Sequence, residues 1–282
     1  MSKHVALLGY PLRHSVSPVF QQAAIDYYQM DITYEPWEVE PANLEAEVSR
    51  LRDSSVLGAN VTIPHKETVK LFLDNLDSLA QHIGAVNTIV NTNSNLTGHN
   101  TDAKGLLDAL RRDGNFNPEG KNVILLGAGG VARAAAFALA KAKVNSLTIA
   151  NRTVDRANQL AASLSAIESV NIQAIPINTD ILAQKMSDCH LIINCTALGM
   201  KHSPGEGQLP IAADTIPRHA LVFDLIYNPL ETPLLREAKA RGSQVLGGLS
   251  MLVYQGAASF ELWTGKEAPI DLMLKTAQNA LV

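Results

Sequence analysis

The sequence predicts an α/β protein built from two unequal domains, and three observations carry that prediction. The chain has 282 residues, a length between those of one large domain and two ordinary ones. Short apolar runs alternate with helical patterns in two separate series, which is typical of strands joined by helices in a parallel sheet. One of these runs leads directly into a glycine-rich turn and a helix, as in doubly wound sheets.

The first series occupies the N-terminal part of the chain. Residues 3–8 read as a buried strand that ends at Gly9, and a helix then begins with Ser17 as N-cap and Pro18 at the first helical position. The alternation continues with a strand at 33–39, a helix at 42–51, a strand at 57–63, a helix after Pro64 and a short hairpin at 85–90 and 95–99. We therefore expect a largely parallel sheet in this half.

The second series is more regular and predicts a doubly wound sheet. Its strands are expected at 122–126, 147–150, 172–175, 191–195, 221–225 and 244–246. A polar, turn-rich stretch at 113–120 favours a boundary just before it. The last helices, at about 251–264 and 270–281, have no strand to return to, so we expect the first of them to run back to the N-terminal domain. The domains would then be 1–103 with 250–282, and 104–249.

Composition restricts the classes of partner. Apolar residues make up 46% of the chain and charged residues 18%, with a net charge of −4, which is typical of a folded protein without a basic surface for nucleic acid. No apolar run reaches the roughly 18 residues of a membrane span. Cys189 and Cys195 lack partners at zinc-ligand spacing, which predicts no metal and favours a reducing cytoplasm. The oligomeric state is left open, with a homodimer among the alternatives.

A glycine-rich turn predicts a dinucleotide site. The strand at 123–126 is followed by Gly127-Ala128-Gly129-Gly130-Val131-Ala132 and an alanine-rich helix. Glycines let the backbone approach a pyrophosphate, and the helix N-terminus offers free N–H groups. An ordinary tight turn is the alternative. We assign Gly127, Ala128, Gly129, Gly130 and Ala132 to the cofactor.

The next strand indicates which dinucleotide is bound. It ends in Asn151-Arg152-Thr153, with Arg156 one helical turn after Arg152, where an NAD enzyme usually carries an acidic residue. Guanidinium groups at this position can bind a 2′-phosphate through charge-assisted hydrogen bonds. An ordinary solvated helix start would also tolerate both arginines, but the pattern favours NADP over NAD.

Four further motifs follow or end strands of the first series, and no dinucleotide fold requires them. They are 9–18 (GYPLRHSVSP), 60–66 (NVTIPHK), 84–88 (GAVNT) and 100–102 (NTD). Ligands of open α/β sheets collect at the carboxyl ends of strands, so these loops could converge on one pocket. Their hydroxyls, amides, ammonium and carboxylate suit a polyhydroxylated acid.

With these motifs the chain resembles the shikimate dehydrogenase family over nearly its full length. In that family the patterns G-x-P-x-x-H-S-x-S-P, N-V-T-x-P-x-K, N-T-D, G-A-G-G, N-R-T and a C-terminal Q-G occur in this order, and all are present here. The resemblance implies NADPH-dependent reduction of 3-dehydroshikimate to shikimate in aromatic amino-acid biosynthesis. It also implies a substrate domain, a Rossmann-type NADP domain and an active site in the cleft between them.

The resemblance further implies roles for individual residues. Lys66 and Asp102 would form the catalytic pair. Substrate contacts would come from Ser15, Ser17, Thr62, Lys66, Asn87, Asp102, Tyr227 and Gln255. Cofactor contacts would come from Ala128, Gly129, Gly130, Asn151, Arg152, Thr153, Arg156, Thr196, Gly248 and Met251, to which we add Leu225. The family commonly has N-A-T-S-x-G-M where this chain reads Asn194-Cys195-Thr196-Ala197-Leu198-Gly199-Met200, so a hydroxyl is missing at Ala197.

Several alternatives stay open at this point. Ser17 could simply cap a helix, Tyr227 with Asn228-Pro229 could form a turn, and Lys66 could be a solvated lysine at a helix start. We assign no chemistry to His14 or His65. A quinate/shikimate dehydrogenase with relaxed use of NAD and NADP shares the fold and most motifs. A non-catalytic dinucleotide sensor is a rival of another class, against which the intact Lys66 and Asp102 argue.

Overall fold

The structure is a computed structural model that describes residues 2–13, 15–165, 170–177 and 179–281. His14 lies outside these residues. The chain divides into two compact units, one formed by Met1–Gly105 with Leu252–Val282 and the other by Leu106–Met251. In the described ranges, no helix combines the length and apolar character needed to cross a membrane.

The first unit contains a mixed sheet. Its described strands are β1 (Lys3–Gly9), β2 (Ile32–Glu38), β3 (Val56–Val61), β4 (Asn75–Leu76), β5 (Thr88–Thr92) and β6 (Asn95–His99), in the order β2-β1-β3-β5-β6-β4. The first three pair in parallel, whereas β5 is antiparallel to β3 and β6. Between its strands lie the helices α1 (Ser17–Tyr27), α2 (Leu44–Arg50) and α3 (Ser78–Ile83), and α4 (Asp102–Arg112) runs on from this unit into the second. Leu8, Leu44, Val61, Ile89 and Leu96 belong to its buried core.

Two local predictions for the first part of the chain are wrong, and one helix was missed. Among the described residues no α-helix begins directly after Pro64; a 3₁₀ turn at Val69–Phe72 and β4 come first, and α3 follows them. The carbonyl of Lys66 accepts a hydrogen bond from the Val86 N–H at 2.8 Å, so it does not serve a helix. The N-cap of α1 is Val16 and not Ser17, because the Ser15 hydroxyl accepts the Ser17 N–H at 3.3 Å and places Ser17 in the first turn. Helix α4 was not predicted.

The second unit is a doubly wound sheet, as the sequence predicts. Its described strands are β7 (Asn122–Leu126), β8 (Ser146–Asn151), β9 (Asn171–Pro176), β10 (Leu191–Asn194), β11 (Leu221–Asp224) and β12 (Gln244–Gly247), in the order β12-β11-β10-β7-β8-β9. All pairs are parallel. The intervening helices are α5 (Gly130–Lys141), α6 (Val154–Ser163), α7 (Asp180–Met186) and α8 (Pro233–Ala240). The strand order reverses between β7 and β10, whose carboxyl ends are the expected ligand position.

The C-terminal helices are α9 (Leu249–Thr264) and α10 (Ile270–Asn279). Helix α9 begins in the second unit and continues into the first, and α10 packs beside α1. The chain therefore returns to the N-terminal unit through a helix, which makes that unit discontinuous in sequence.

Candidate active site

The backbone around Lys66 is fixed from two sides. The Lys66 carbonyl is bonded to Val86, just before β5. The adjacent His65 ring is buried, and its Nε2–H donates to the carbonyl of Val39 at 2.7 Å. The loop after β3 therefore holds Lys66 without a helix, and His65 has a structural role.

Asp102 is placed by the start of α4. The Asn100 side chain donates to the Ala85 carbonyl at 2.9 Å and accepts the Ala103 N–H at 3.3 Å, which ties the helix start to the loop before β5. The Thr101 N–H donates to Asn87 Oδ1 at 2.7 Å. These bonds fix the first turn of α4 beside the loop that carries Asn87.

Lys66 and Asp102 form a buried ion pair. Lys66 Nζ lies 2.6 Å from Asp102 Oδ2, and the side chains are 15% and 3% exposed. Asn87 Nδ2 donates to the other carboxylate oxygen, Oδ1, at 3.0 Å. A buried carboxylate needs such partners. Among the described residues the ammonium has no other hydrogen-bond acceptor, so two of its N–H bonds are available to a ligand oxygen.

Gln255 joins this cluster from α9. Its Oε1 accepts a hydrogen bond from Asn87 Nδ2 at 2.9 Å, and its Nε2 donates to the Leu252 carbonyl at 2.7 Å. Four of the predicted site residues, Lys66, Asp102, Asn87 and Gln255, are thus brought together by direct hydrogen bonds within the first unit.

The predicted hydroxyl ligands Ser15, Ser17 and Thr62 lie on loops of the first unit, outside this bonded cluster. The loops after β1 and β3 are joined where the Tyr10 N–H donates to the Ile63 carbonyl at 3.0 Å, beside Thr62. Ser15 is half-buried and Ser17 is buried at the start of α1. Tyr227 belongs to the second unit, in the loop after β11.

The glycine turn after β7 has the properties that a pyrophosphate needs. Gly127 has a φ of +109°, and a Cβ there would lie 3.2 Å from the backbone of Cys195. A Cβ on Gly129 would meet nothing within 4 Å, so the backbone is open to a ligand. The first hydrogen bond into α5 joins Arg133 N to the Gly129 carbonyl, which leaves the N–H groups of residues 130–132 directed out of the helix end.

The turn after β8 presents cations beside this glycine turn. Gly127 N donates to the carbonyl of Ala150 at 2.8 Å, so the two strand ends are adjacent. The Asn151 side chain closes the turn by donating to the Thr153 carbonyl at 2.8 Å. Arg152, Thr153 and Arg156 are exposed around the start of α6, where their side chains can reach an anion.

The remaining predicted cofactor residues lie at the ends of β10, β11 and β12. Gly248 packs so closely on this edge that a Cβ would lie 2.2 Å from the Leu225 carbonyl oxygen. The Thr196 hydroxyl donates to Asn194 Oδ1 at 2.7 Å, and Met251 is buried at the start of α9. The predicted cofactor residues therefore collect at one edge of the second sheet, with small residues where the backbone must be approached.

A buried carboxylate, which the sequence analysis missed, supports these loops. Asp224 accepts hydrogen bonds from Asn194 Nδ2 at 2.9 Å, the Ile226 N–H at 3.1 Å and the Thr232 hydroxyl at 2.6 Å. Burial raises the pKa of Asp224 to about 6, although these hydrogen bonds act in the opposite direction. Asn194 and Asp224 are register partners at the ends of apolar strands. A polar residue at the end of an apolar strand was the sequence signal that could have indicated this supporting role.

Three family models match the chain. They are the shikimate dehydrogenase substrate binding domain over residues 7–89, shikimate / quinate 5-dehydrogenase over 110–219, and the shikimate 5'-dehydrogenase C-terminal domain over 248–278. A relative from Desulforamulus reducens, shikimate dehydrogenase (NADP(+)), is 45% identical over 95% of this chain and 91% of its own length.

Solved structures of shikimate dehydrogenases are similar to this chain along its whole length. A shikimate dehydrogenase in complex with NADP+ is 36% identical with a TM-score of 0.91, covering 100% of this chain and 96% of that one. Shikimate 5-dehydrogenase from Thermus thermophilus, in complex with NADP(H) and shikimate, is 36% identical with a TM-score of 0.87, covering 99% and 100%.

Proposed function

Because this chain belongs to the shikimate dehydrogenase family, we propose that Lys66 and Asp102 carry out the acid/base step of its reaction. The activity is that of an NADP-dependent oxidoreductase acting on a CH–OH group, the reversible reduction of 3-dehydroshikimate to shikimate in aromatic amino-acid biosynthesis. The observation that supports the catalytic pair is the buried contact of 2.6 Å between Lys66 Nζ and Asp102 Oδ2.

When bound, NADPH supplies the hydride that reduces the ring ketone. The protein then has to position the ketone and deliver one proton to its oxygen. Lys66 donates that proton from its ammonium, and in the oxidation direction its neutral amine accepts the proton of the alcohol. Asp102 compensates the ammonium charge and fixes its position. Asn87 fixes Asp102 through Oδ1.

Most of the residues that we assign to the substrate lie on loops of the first unit. Ser15 and Ser17 hold the carboxylate, and Thr62, Asn87, Tyr227 and Gln255 contact the ring hydroxyls or the carboxylate. The link between Asn87 and Gln255 supports this assignment, because it places two amide groups beside the catalytic pair. The substrate domain would then comprise residues 1–103 with 250–282, and the cofactor domain residues 104–249.

We assign the dinucleotide to the carboxyl edge of the second sheet. Its pyrophosphate would approach Gly127 to Ala132, and its 2′-phosphate would be bound by Arg152 and Arg156 with Asn151 and Thr153. Thr196, Leu225, Gly248 and Met251 would contact the remainder. The open backbone at Gly129 supports the first assignment, and the exposed guanidinium groups support the second.

We also propose that the protein works in the cytoplasm on small anions. Both cysteines, Cys189 and Cys195, are unpaired thiols, as expected in a reducing compartment. A net charge of −4 does not favour a nucleic-acid backbone as ligand.

A spectrophotometric assay at 340 nm, the wavelength at which reduced nicotinamide absorbs, tests the assignment with four substrate pairs: shikimate or quinate, each with NADP or NAD. We expect the highest kcat/KM for shikimate with NADP. Comparable values for quinate, together with comparable values for NAD, would identify the relaxed quinate/shikimate enzyme instead. Absence of turnover with all four pairs by a folded protein would favour a dinucleotide sensor.

A further inference from the structure

A buried chain of hydrogen bonds leads from Asp102 into the core of the first unit. It passes from Asp102 to Asn87, Thr88, Ser259, Asn60 and Tyr34, which lie on five separate segments of the chain. The most exposed of these six residues retains only 5% of its surface. Burying this many polar groups is costly unless every one is hydrogen-bonded. When all are hydrogen-bonded, such a network fixes the orientation of its members.

In the half of this network farthest from Asp102, formed by Tyr34, Asn60 and Ser259, the hydrogen bonds are donated in one direction. Burial raises the pKa of the Tyr34 phenol above its usual value, so Tyr34 keeps its hydrogen and donates to Asn60 Oδ1 at 2.8 Å. The amide of Asn60 is thereby oriented, and its Nδ2 donates to Ser259 Oγ at 3.0 Å.

The inner half of the network links Ser259 to Asn87 and Asp102. The Thr88 hydroxyl donates to Asn87 Oδ1 at 3.1 Å and lies 2.7 Å from the Ser259 hydroxyl. The single hydrogen of Ser259 has two acceptors within reach, Thr88 Oγ1 and the Gln255 carbonyl at 3.0 Å. Because Asn87 Oδ1 also accepts the Thr101 N–H, the amide group of Asn87 must face Asp102 and donate to its Oδ1. The network therefore ends on the carboxylate that holds Lys66.

We propose that Asn60, Thr88 and Ser259 are positioning residues for catalysis, which orient Asn87 and through it the Asp102 carboxylate and the Lys66 ammonium. This inference rests on the proposed function of that pair. The three residues do not touch the substrate or the cofactor in this account. Their contribution is to prevent the Asn87 amide from rotating, because a rotated amide would direct its oxygen at the carboxylate and repel it.

The test measures kcat and KM for shikimate with NADP. Thr88→Val keeps the shape and removes the hydroxyl, Ser259→Ala removes the next hydroxyl, and Thr88→Ser is the conservative variant. We expect the first two to lower kcat by about threefold to tenfold, more than they raise KM. Thr88→Ser should keep at least about half of kcat, and Tyr34→Phe, at the far end, should lose less than Thr88→Val.

A matched control lies on the same helix. Thr264 donates to the Phe260 carbonyl at 2.8 Å, as Ser259 can to the Gln255 carbonyl at 3.0 Å. Thr264 does not belong to the hydrogen-bond network that leads to Asp102. Thr264→Ala should therefore leave kcat unchanged. If it lowers kcat as much as Ser259→Ala, the effect is a general loss of helix packing and the proposal is wrong.

The decisive comparison repeats Thr88→Val in an Asp102→Asn background. If Thr88 acts through Asp102, its effect there should shrink to less than about twofold. An equal fold-loss in both backgrounds, or no loss in either Thr88→Val or Ser259→Ala, would overturn the proposal. Should Thr88→Val not fold, Ser259→Ala in the same two backgrounds decides. Full activity of Asp102→Asn alone would instead refute the catalytic pair, so the two failures are distinguishable.

Discussion

Lys66 is held through its backbone and its side chain at once. The hydrogen bond from Val86 fixes its carbonyl, and the contact of 2.6 Å with Asp102 fixes its ammonium. A long, flexible side chain loses conformational entropy when it binds a ligand, and a lysine held in advance loses less. The ion pair therefore has a reason to be buried that concerns catalysis more than stability, since buried ion pairs contribute little net stability.

Cofactor choice depends on Arg152 and Arg156 in the turn after β8. Arg152→Ala and Arg156→Ala should each weaken use of NADP by about tenfold to a hundredfold, since a charge-assisted hydrogen bond contributes about 1.5 to 3 kcal/mol. Use of NAD should change far less. Steady-state kinetics with both cofactors measures this. Arg218→Ala is the control, because Arg218 is exposed in the loop that enters β11 at the opposite end of the sheet. Equal losses for NAD and NADP in both variants would remove the 2′-phosphate assignment.

The sequence predicts individual site residues only where a short motif contains them. Lys66, Asn87 and Asp102 stand in motifs at strand ends, and the structure brings them into contact. Ser259 and Asp224 were missed, because their importance depends on partners elsewhere in the chain: the Ser259 hydroxyl contacts Thr88, 171 positions away. A hydroxyl one helical turn after Gln255 was the one local hint.

At the scale of elements, Asp224 joins β10, β11 and the start of α8. Its carboxylate bonds to Asn194 on β10 and to Thr232, the N-cap of α8. Asn194 in turn orders the loop of Thr196. One buried group therefore supports two of the predicted cofactor loops.

The raised pKa of Asp224 predicts a specific pH dependence of stability. The folded-state pKa of about 6 lies above the reference value of 3.8, so between these values the native state binds more protons and its free energy of unfolding falls as pH rises. The contribution of the protonated Asp224 carboxyl to the free energy of unfolding is fully present below pH 3.8 and is lost as the pH rises through 6. It amounts to about 3 kcal/mol at most. The amide introduced by Asp224→Asn cannot ionise, so the variant lacks this pH-dependent contribution to stability.

Denaturant unfolding of wild type and Asp224→Asn across pH 4.5 to 8 measures the contribution of Asp224 to the free energy of unfolding. The stability of the wild type minus that of the variant should decline through this range and level off above it. A difference that stays constant with pH, or that increases, would show that Asp224 is not held above its usual pKa. Because other carboxylates titrate in both proteins, the difference isolates Asp224.

Elements were predictable where a local pattern decides them. Parallel strands β7, β8 and β10 are short apolar runs, and they form where the sequence places them. The stretch after Pro64 has helical residues, but the Lys66 carbonyl is taken by Val86, a partner that the local sequence does not reveal. Helix α4 begins at Asp102, directly after Asn100 and Thr101, and the motif of these three residues predicted a substrate loop and not a helix start.

At the scale of the whole molecule, two α/β units carry the two halves of the chemistry. The first contains the proposed proton donor, and the second contains the open glycine turn and the cations. Helix α9 returns the chain to the first unit and delivers Gln255 to the catalytic cluster. The amino-acid pattern could predict this return, but not the hydrogen bonds that it makes.

Lys66 and Asp102 are proposed to form one acid/base unit, and a double-mutant cycle on kcat tests this proposal most directly. Lys66→Ala should lower kcat by about 10² to 10⁴-fold with shikimate and NADP, while NADPH binding, followed by fluorescence, stays unchanged. Asp102→Asn should also lower kcat, and the double variant should lose less than the two free energies added together. Near-normal kcat for Lys66→Ala with only a raised KM would contradict the account and make Lys66 a binding residue.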